Sequence, residues 1–325
     1  MLYNRYYNLN SSGNNDFKSL YESIDLFFVG NSNETRAKKV ISLVNEFYKK
    51  DILSINYDIE NEKYSIENLS NSNIFRKENL VEKGKDLISN FIFDLEKIGI
   101  EDKNVLIDIT SIKHPLLFYF LFVLKKNLKP KSLFITYTEP ESYQQEKKED
   151  YNSRRFDLTE NFCEVKSLPG FARISDHNKE RMLIALMGFE GNRFSSAFED
   201  VNPSDRKTIA IVGFPSFQPS WQYYVYSQNQ YALEQSKAYS SIKRATANEP
   251  FGVYNILEEI KNTNNNYELV IAPIGTKPHS LGACMFAIDN PETQIYYDFP
   301  SFGSKTRTIG IGNSFLYNLT DFINE

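Results

Sequence analysis

Two stretches of the chain share one pattern, in which a short apolar strand runs through a turn into an apolar helix. VLIDIT continues into SIKHPLLFYFLFVL, and LVIAPI continues into GTKPHSLGACMFAI. When Lys113 is set on Lys277, the two strands coincide without a gap and Leu117 meets Leu281. Strands that alternate with helices in this way predict parallel βαβ units and therefore an α/β fold.

Two further blocks flank this pair in the same order. FITYTEP resembles IYYDFP downstream, and FFVGNSNETR resembles LMGFEGNR upstream. In the upstream pair, Glu34 and Arg36 roughly match Glu190 and Arg193. Any two doubly wound domains share strand–turn–helix blocks, which is the alternative explanation. The common order of three blocks favours two Rossmann-like, parallel-sheet halves related by an internal pseudo-repeat.

Apolar runs and helical periodicity predict elements along both halves. Strands are predicted over 24–30, 52–59, 105–110, 132–138, 182–188, 208–214, 268–273 and 293–298, and helices over 37–48, 78–98, 116–124, 220–235, 252–260, 278–288 and 313–323. The Asn- and Glu-rich stretch 60–73 is predicted to be a loop. The charged segment 144–157 lacks an apolar period. It separates an N-terminal Rossmann-like domain, 1–150, from a C-terminal one, 151–325.

Length and composition agree with two domains and exclude several classes of protein. The 325 residues correspond to about two domains of ~150 residues. The net charge of −5 argues against binding to long nucleic acids. Two cysteines, Cys163 and Cys284, exclude a disulfide scaffold and a four-cysteine zinc site. No metal-ligand motif or cofactor fingerprint is found, so neither a metal nor a cofactor is expected.

The longest apolar run, LLFYFLFVL, has nine residues, whereas a membrane span needs about 20. The polar start of the chain lacks the apolar core of a signal peptide. A cytoplasmic location and no membrane partner are therefore expected.

The turn IGTKPHS has the parts of a phosphate- or nucleotide-contacting turn. Gly275 and Thr276 let backbone N–H groups approach an anion at the start of a helix, where the helix dipole favours negative charge. Lys277 adds a positive charge, and Pro278 suits the first helical turn. The spacing is not that of a P-loop. The alternative is a helix-starting turn with an exposed lysine.

The matching turn of the first half, DITSIKHP, carries Asp108 at its start. This carboxylate could orient Lys113, cap the next helix or hold a ribose hydroxyl, and it could equally be a structural acceptor. His114 and His279 lie in the two paired turns. A lone histidine is more often structural than catalytic, and this interpretation is preferred for both.

Two more loops of the second half follow predicted strands. In GFEGNR, Arg193 could hold a phosphate through its two-pronged guanidinium, and Glu190 could meet a base or ribose edge. The alternative is a Glu–Arg pair that shapes the loop. In GFPSFQPSWQ, Phe214, Phe217 and Trp221 could stack on a nucleobase or pack the loop onto its domain.

The two turn motifs, DITSIKHP and IGTKPHS with their helices, resemble those of CARF-type domains, which are Rossmann-like modules of prokaryotic antiviral systems. Two such units in one chain are similar to the SAVED arrangement, and the resemblance covers 24–140 and 182–300. It implies a bound cyclic oligonucleotide or related nucleotide signal, with Thr276 and Lys277 on the contacting turn. Thr110, Ser111 and Lys113 are the matching positions, and Ser111 stands where the second copy has glycine.

The sequence therefore predicts a nucleotide-binding sensor or regulatory protein of a prokaryotic antiviral defence system. Its ligand is expected at the carboxyl ends of strands between the two halves, and a separately encoded effector is the expected partner. Open alternatives are a nucleotide hydrolase using Glu190, Asp108 or a histidine, a structural subunit of a defence complex, and a homo-oligomer. The candidate ligand-binding residues are Thr110, Ser111, Lys113, His114, Glu190, Arg193, Gly275, Thr276, Lys277 and His279.

Overall fold

The chain divides into two compact units. The structure, a computed structural model, describes residues 6–9, 17–45, 50–58, 63–69, 85–143, 161–162, 168, 170–173, 179–301 and 308–325. The first unit comprises Met1–Glu141 and Thr308–Glu325, and the second comprises Ser142–Arg307. The C-terminal residues thus join the first unit, whereas the sequence division at 150 had assigned them to the second. The charged segment 144–157 and Cys163 lie outside the described residues.

The described strands and helices follow one another along the chain with short connections. The strands are β1 (Tyr6–Asn8), β2 (Leu26–Gly30), β3 (Ile52–Asp58), β4 (Lys63–Asn68), β5 (Asn104–Asp108), β6 (Ser132–Thr138), β7 (Ser142–Tyr143), β8 (Asn161–Phe162), β9 (Glu180–Leu186), β10 (Thr208–Gly213), β11 (Ile242–Ala245), β12 (Tyr267–Pro273), β13 (Gln294–Ile295), β14 (Pro300–Ser301), β15 (Thr308–Ile309) and β16 (Ser314–Asn318). The helices are α1 (Lys18–Ser23), α2 (Lys39–Asn45), α3 (Lys85–Ile98), α4 (His114–Lys126), α5 (Gly191–Val201), α6 (Trp221–Gln235), α7 (Pro250–Thr263), α8 (Lys277–Asp289) and α9 (Thr320–Asn324).

The first unit contains a seven-stranded mixed sheet in the order β1-β16-β6-β5-β2-β3-β4. The inner strands β6, β5, β2 and β3 are parallel, and the outer strands are antiparallel to their neighbours. The prediction of a loop over 60–73 is wrong for β4, which pairs with β3 through Tyr57 and Tyr64. Tyr64 and Ile66 alternate with more polar residues and are buried, which is the period of a half-buried strand.

The C-terminal helix predicted over 313–323 is also wrong over most of its length. β16 pairs antiparallel with β6, with Tyr317 opposite Ile135, and the helix α9 begins only at Thr320. Phe315 and Leu316 are consecutive and both buried. A short apolar run buried on both faces fits a strand as well as a helix. This pairing is the reason that the last residues belong to the first unit.

The second unit contains a five-stranded parallel sheet in the order β11-β10-β9-β12-β13. In chain order this is third, second, first, fourth and fifth, with helices α5, α6, α7 and α8 between successive strands. That order is typical of doubly wound α/β sheets. The direction of winding reverses between β9 and β12, and ligands of such sheets bind outside the carboxyl ends of the strands at this switch point.

Five strands of the first unit, β4-β3-β2-β5-β6, follow the same chain order. They differ in one direction, because β4 runs antiparallel to β3, whereas β11 runs parallel to β10. Both sheets therefore reverse their winding at one place, between β2 and β5 in the first unit and between β9 and β12 in the second.

Aromatic rings fill much of the first unit's core, which accounts for part of the high aromatic content. Phe120 of α4 makes edge contacts with Phe28 and with Phe91, at centroid distances of 5.0 and 5.3 Å. Phe91 in turn contacts Tyr64 at 5.0 Å. Such edge-to-face contacts add to the burial of apolar area. Among the helices of the described ranges, α4 included, none has the length and apolar character needed to cross a membrane.

Candidate functional site

A cleft opens in the second unit at the carboxyl ends of β9, β10 and β12, which is the switch point of its sheet. Its free space is about 560 Å³, including the part open to solvent. The residues that line it come from the loops after these three strands and from the first turns of α6 and α8. This volume lies within the range of small-ligand sites.

Two glycines allow the loops after β9 and β12 to pass in contact at the cleft. A Cβ atom on Gly188 would lie 2.5 Å from the carbonyl oxygen of Ile274. A Cβ atom on Gly275 would lie 2.9 Å from the carbonyl oxygen of Met187. Neither place can hold a larger residue without movement of the backbone. Gly275, a sequence candidate, therefore lies at the switch point and lines the cleft.

Three half-buried rings, Tyr143, Phe189 and Trp221, form an aromatic triangle on one wall of the cleft. The centroid distances are 5.5 Å for Tyr143 to Phe189, 5.2 Å for Tyr143 to Trp221 and 5.5 Å for Phe189 to Trp221. Phe217 also lines the cleft, whereas Phe214 is exposed and is not among the lining residues. The sequence analysis identified Trp221 and Phe217 and missed Tyr143 and Phe189.

Glu190, which immediately precedes α5, belongs to a buried chain of charges. Arg193 Nη1 donates to Glu190 Oε2 at 3.3 Å. The same guanidinium donates through Nε and Nη2 to the two carboxylate oxygens of Asp298, at 2.6 and 2.5 Å. Burial alone would lower the pKa of Arg193, but the hydrogen bonds and charge of Asp298 outweigh it and raise the pKa. We call these residues the Glu190–Arg193–Asp298 triad.

The triad changes what Arg193 can do. The sequence analysis offered this guanidinium as a phosphate ligand, but both prongs of its fork are directed at Asp298. Its side chain is 8% exposed. Of the triad, only Glu190 lines the cleft. The cleft therefore meets a carboxylate at the start of α5, and the arginine holds that carboxylate from behind.

The start of α8 is capped as the sequence predicts. Thr276 Oγ1 accepts a hydrogen bond from the His279 backbone N–H at 3.3 Å and donates to the Ala247 carbonyl at 2.6 Å. Lys277 is the first helical residue and is half-buried, and Pro278 follows it. Thr276 lines the cleft, so the positive end of the α8 dipole lies at the cleft.

His279 is completely buried beneath this turn and is not among the lining residues. Its Nε2 atom lies 3.0 Å from the Thr246 carbonyl oxygen, to which it donates. This contact fixes the neutral tautomer and ties the α8 turn to the loop after β11. The structural interpretation of this histidine is therefore favoured over a catalytic one.

We expect His279 to make stability depend on pH. Burial lowers its pKa to about 4, against about 6.5 in an unfolded chain. As the pH falls from 6.5 towards 4, the unfolded state gains a proton that the native state does not. The free energy of unfolding therefore decreases through this window and is highest above it. Urea unfolding between pH 7.5 and 5 should show a smaller decrease for His279→Gln than for the wild type, and equal slopes would contradict this role.

In the first unit, the sequence candidates hold strand ends together. Thr110 Oγ1 accepts from the Thr138 backbone N–H at 2.9 Å, and the Thr110 N–H donates to Asp108 Oδ1 at 2.7 Å. Ser111 Oγ donates to the Gly30 carbonyl at 2.9 Å. These bonds join the ends of β2, β5 and β6, which favours the structural alternative for Asp108.

The two remaining candidates of the first unit begin α4. Lys113 is the N-terminal flanking residue and His114 the first helical residue, and both are half-buried. The matched pair upstream is also present, because Arg36 Nε donates to Glu34 Oε2 at 2.8 Å. Arg36 differs from Arg193 in its other partner, since its Nη1 donates to the Thr138 carbonyl.

The fold and the cleft define a class, an α/β protein with a doubly wound parallel sheet and a cleft at its switch point. No known protein-family model matches the sequence, and no curated protein shows a significant match to it. Within the described part of the chain, no group of three or more His, Cys, Asp or Glu residues is arranged to hold a metal ion. The function is therefore argued from the cleft.

Proposed function

We propose that the second unit binds a nucleotide in this cleft, and that the chain acts as a nucleotide sensor or regulatory protein. The observation that carries the proposal is the aromatic triangle of Tyr143, Phe189 and Trp221 beside the capped start of α8, at the switch point of a parallel sheet. Aromatic rings stack on nucleobases, and a helix N-terminus favours a phosphate. Both features are within one cleft.

Binding without turnover is favoured over hydrolysis. Among the described residues that line the cleft, Glu190 is the sole carboxylate, and Arg193 is bonded to it. A paired carboxylate would have favoured acid–base chemistry. Glu190 instead suits the recognition of a ligand group that donates hydrogen bonds.

We further propose that the two units are diverged copies of one α/β unit. The shared strand order and the two Glu–Arg pairs support this origin. In the first unit, Ser111 bonds to Gly30 across the switch point, where the second unit has Gly275 beside Met187. We therefore assign ligand binding to the second unit.

The resemblance of the turn motifs to CARF and SAVED proteins adds a biological context to the proposal. In that context the ligand is a nucleotide signal of a prokaryotic antiviral system, a cyclic oligonucleotide included. The partner is a separately encoded effector protein.

A thermal-shift screen tests the proposed function. Nucleoside mono-, di- and triphosphates, cyclic dinucleotides and cyclic oligonucleotides are added to the full chain. At a concentration of 100 Kd, a ligand stabilises the native state by about 2.7 kcal/mol, so we expect at least one compound to raise the melting temperature. Chromatography after long incubation should recover that compound intact. Failure of every compound contradicts nucleotide binding, and conversion to products contradicts a sensor without catalytic activity.

A further inference from the structure

The two helix starts that border the cleft differ in charge. The start of α5 carries the Glu190 carboxylate in the cleft lining, and the start of α8 carries Thr276 in the lining with Lys277 next to it. A helix start attracts anions, but at α5 the protein itself supplies the anion. A ligand with one anionic end is therefore not bound equally well in its two orientations.

The triad makes this asymmetry permanent at neutral pH. Two carboxylates and one guanidinium leave it with a net charge of about −1 when all three groups are ionised, and Asp298 engages both prongs of Arg193. A phosphate beside Glu190 would meet a like charge that is largely screened from water, since the glutamate side chain is 8% exposed. An ionised carboxylate only accepts hydrogen bonds. The ligand group at this place must therefore be a donor.

We propose that Glu190 is the specificity-determining residue of the cleft and fixes the orientation of one nucleoside monophosphate unit. The base contacts the aromatic triangle, a hydrogen-bond donor of the base or of the ribose binds Glu190, and the phosphate lies towards Thr276 and Lys277. This inference rests on the proposed function, since it requires a nucleotide in the cleft. It adds the polarity of that ligand and the group that selects it.

Isothermal titration with the four ribonucleoside 5′-monophosphates tests this role. We expect Glu190→Gln to weaken the monophosphate that binds the wild type most tightly by about tenfold, since a hydrogen bond to a charged group is lost. Glu190 makes no side-chain capping bond to α5, so the helix should persist in the variant. Glu199→Gln, an exposed site on the same helix, is the matched control and should bind as the wild type does.

Analogues identify the donor that Glu190 reads. One set of probes lacks the ribose hydroxyls, as 2′,3′-dideoxynucleotides, and the other lacks the exocyclic amino group of the base. One of the two deletions should cost the wild type about tenfold in affinity and cost Glu190→Gln much less, which is the coupling expected of a direct contact. If neither deletion distinguishes the two proteins, Glu190 does not read a donor and the inference is overturned.

The other end of the ligand is tested with Lys277→Met. The wild type should prefer a monophosphate to its nucleoside, and the variant should lose most of that preference, whereas Lys129→Met, an exposed lysine of the first unit, should keep it. Wild-type binding that Glu190→Gln leaves unchanged overturns the inference and leaves the proposed function standing. Failure of all four monophosphates also overturns it, and the proposed function fails as well only if every compound of the thermal-shift screen fails.

Discussion

Replacement of Arg193 by methionine is expected to destabilise the second unit by about 3–5 kcal/mol, because it leaves buried carboxylates without their partner. Arg193 holds Asp298 through two hydrogen bonds and Glu190 through one. All three side chains are at most 8% exposed. Urea unfolding followed by Trp221 fluorescence reports on this unit, since Trp221 is the only tryptophan of the chain and lies within 142–307.

Two comparisons separate the loss of this triad from a general effect of removing an arginine. Arg206→Met removes a side chain that is 77% exposed and should change stability by no more than about 0.5 kcal/mol. Adding Asp298→Asn to Arg193→Met removes one unpaired charge and should restore part of the loss. Equal effects of Arg193→Met and Arg206→Met would contradict a buried triad.

The pH dependence of Arg193→Met gives the sign of the effect. Without the guanidinium, burial raises the pKa of the two carboxyl groups above their unfolded values. The native state then binds more protons than the unfolded state, so stability increases as the pH falls. The deficit of the variant against the wild type should therefore shrink between pH 7 and pH 5. A deficit that is constant with pH would contradict this explanation.

Replacement of Trp221 by alanine should reduce nucleotide affinity by about 1–3 kcal/mol, the usual contribution of one stacked base, or roughly 5- to 150-fold. The indole forms one side of the aromatic triangle and lines the cleft. Titration calorimetry with the tightest compound of the thermal-shift screen measures the loss. Tyr223→Ala is the matched control, because Tyr223 lies in the same helix turn, is 69% exposed and is not a lining residue. Equal affinities of the two variants would contradict stacking on Trp221.

The parallel strands of the fold could be predicted from the sequence because they are continuous apolar runs. The prediction of 132–138 agrees with β6, Ser132–Thr138. β11 was missed because IKRA is short and charged, as edge strands often are. β4 and β16 were missed because their burial depends on pairing with β3 and β6, and that pairing has no local signal.

The candidate site could be predicted where its residues lie just after apolar strands. Glu190, Gly275 and Thr276 were identified in this way, and all three line the cleft. The role of Arg193 could not be predicted, because its partner Asp298 is 105 residues away. Tyr143 lies next to a polar segment, and no pattern in the sequence links it to Trp221.

Fluorescence of Trp221 during nucleotide titration tests the central claim most directly. The chain has one tryptophan, and that residue lines the cleft, so its emission reports on the site without a label. We predict a saturable change in emission with a nucleotide of the thermal-shift screen, and a shift of that curve to higher concentration in Glu190→Gln. Binding that is detected by calorimetry but leaves the emission of Trp221 unchanged would contradict a nucleotide site in this cleft.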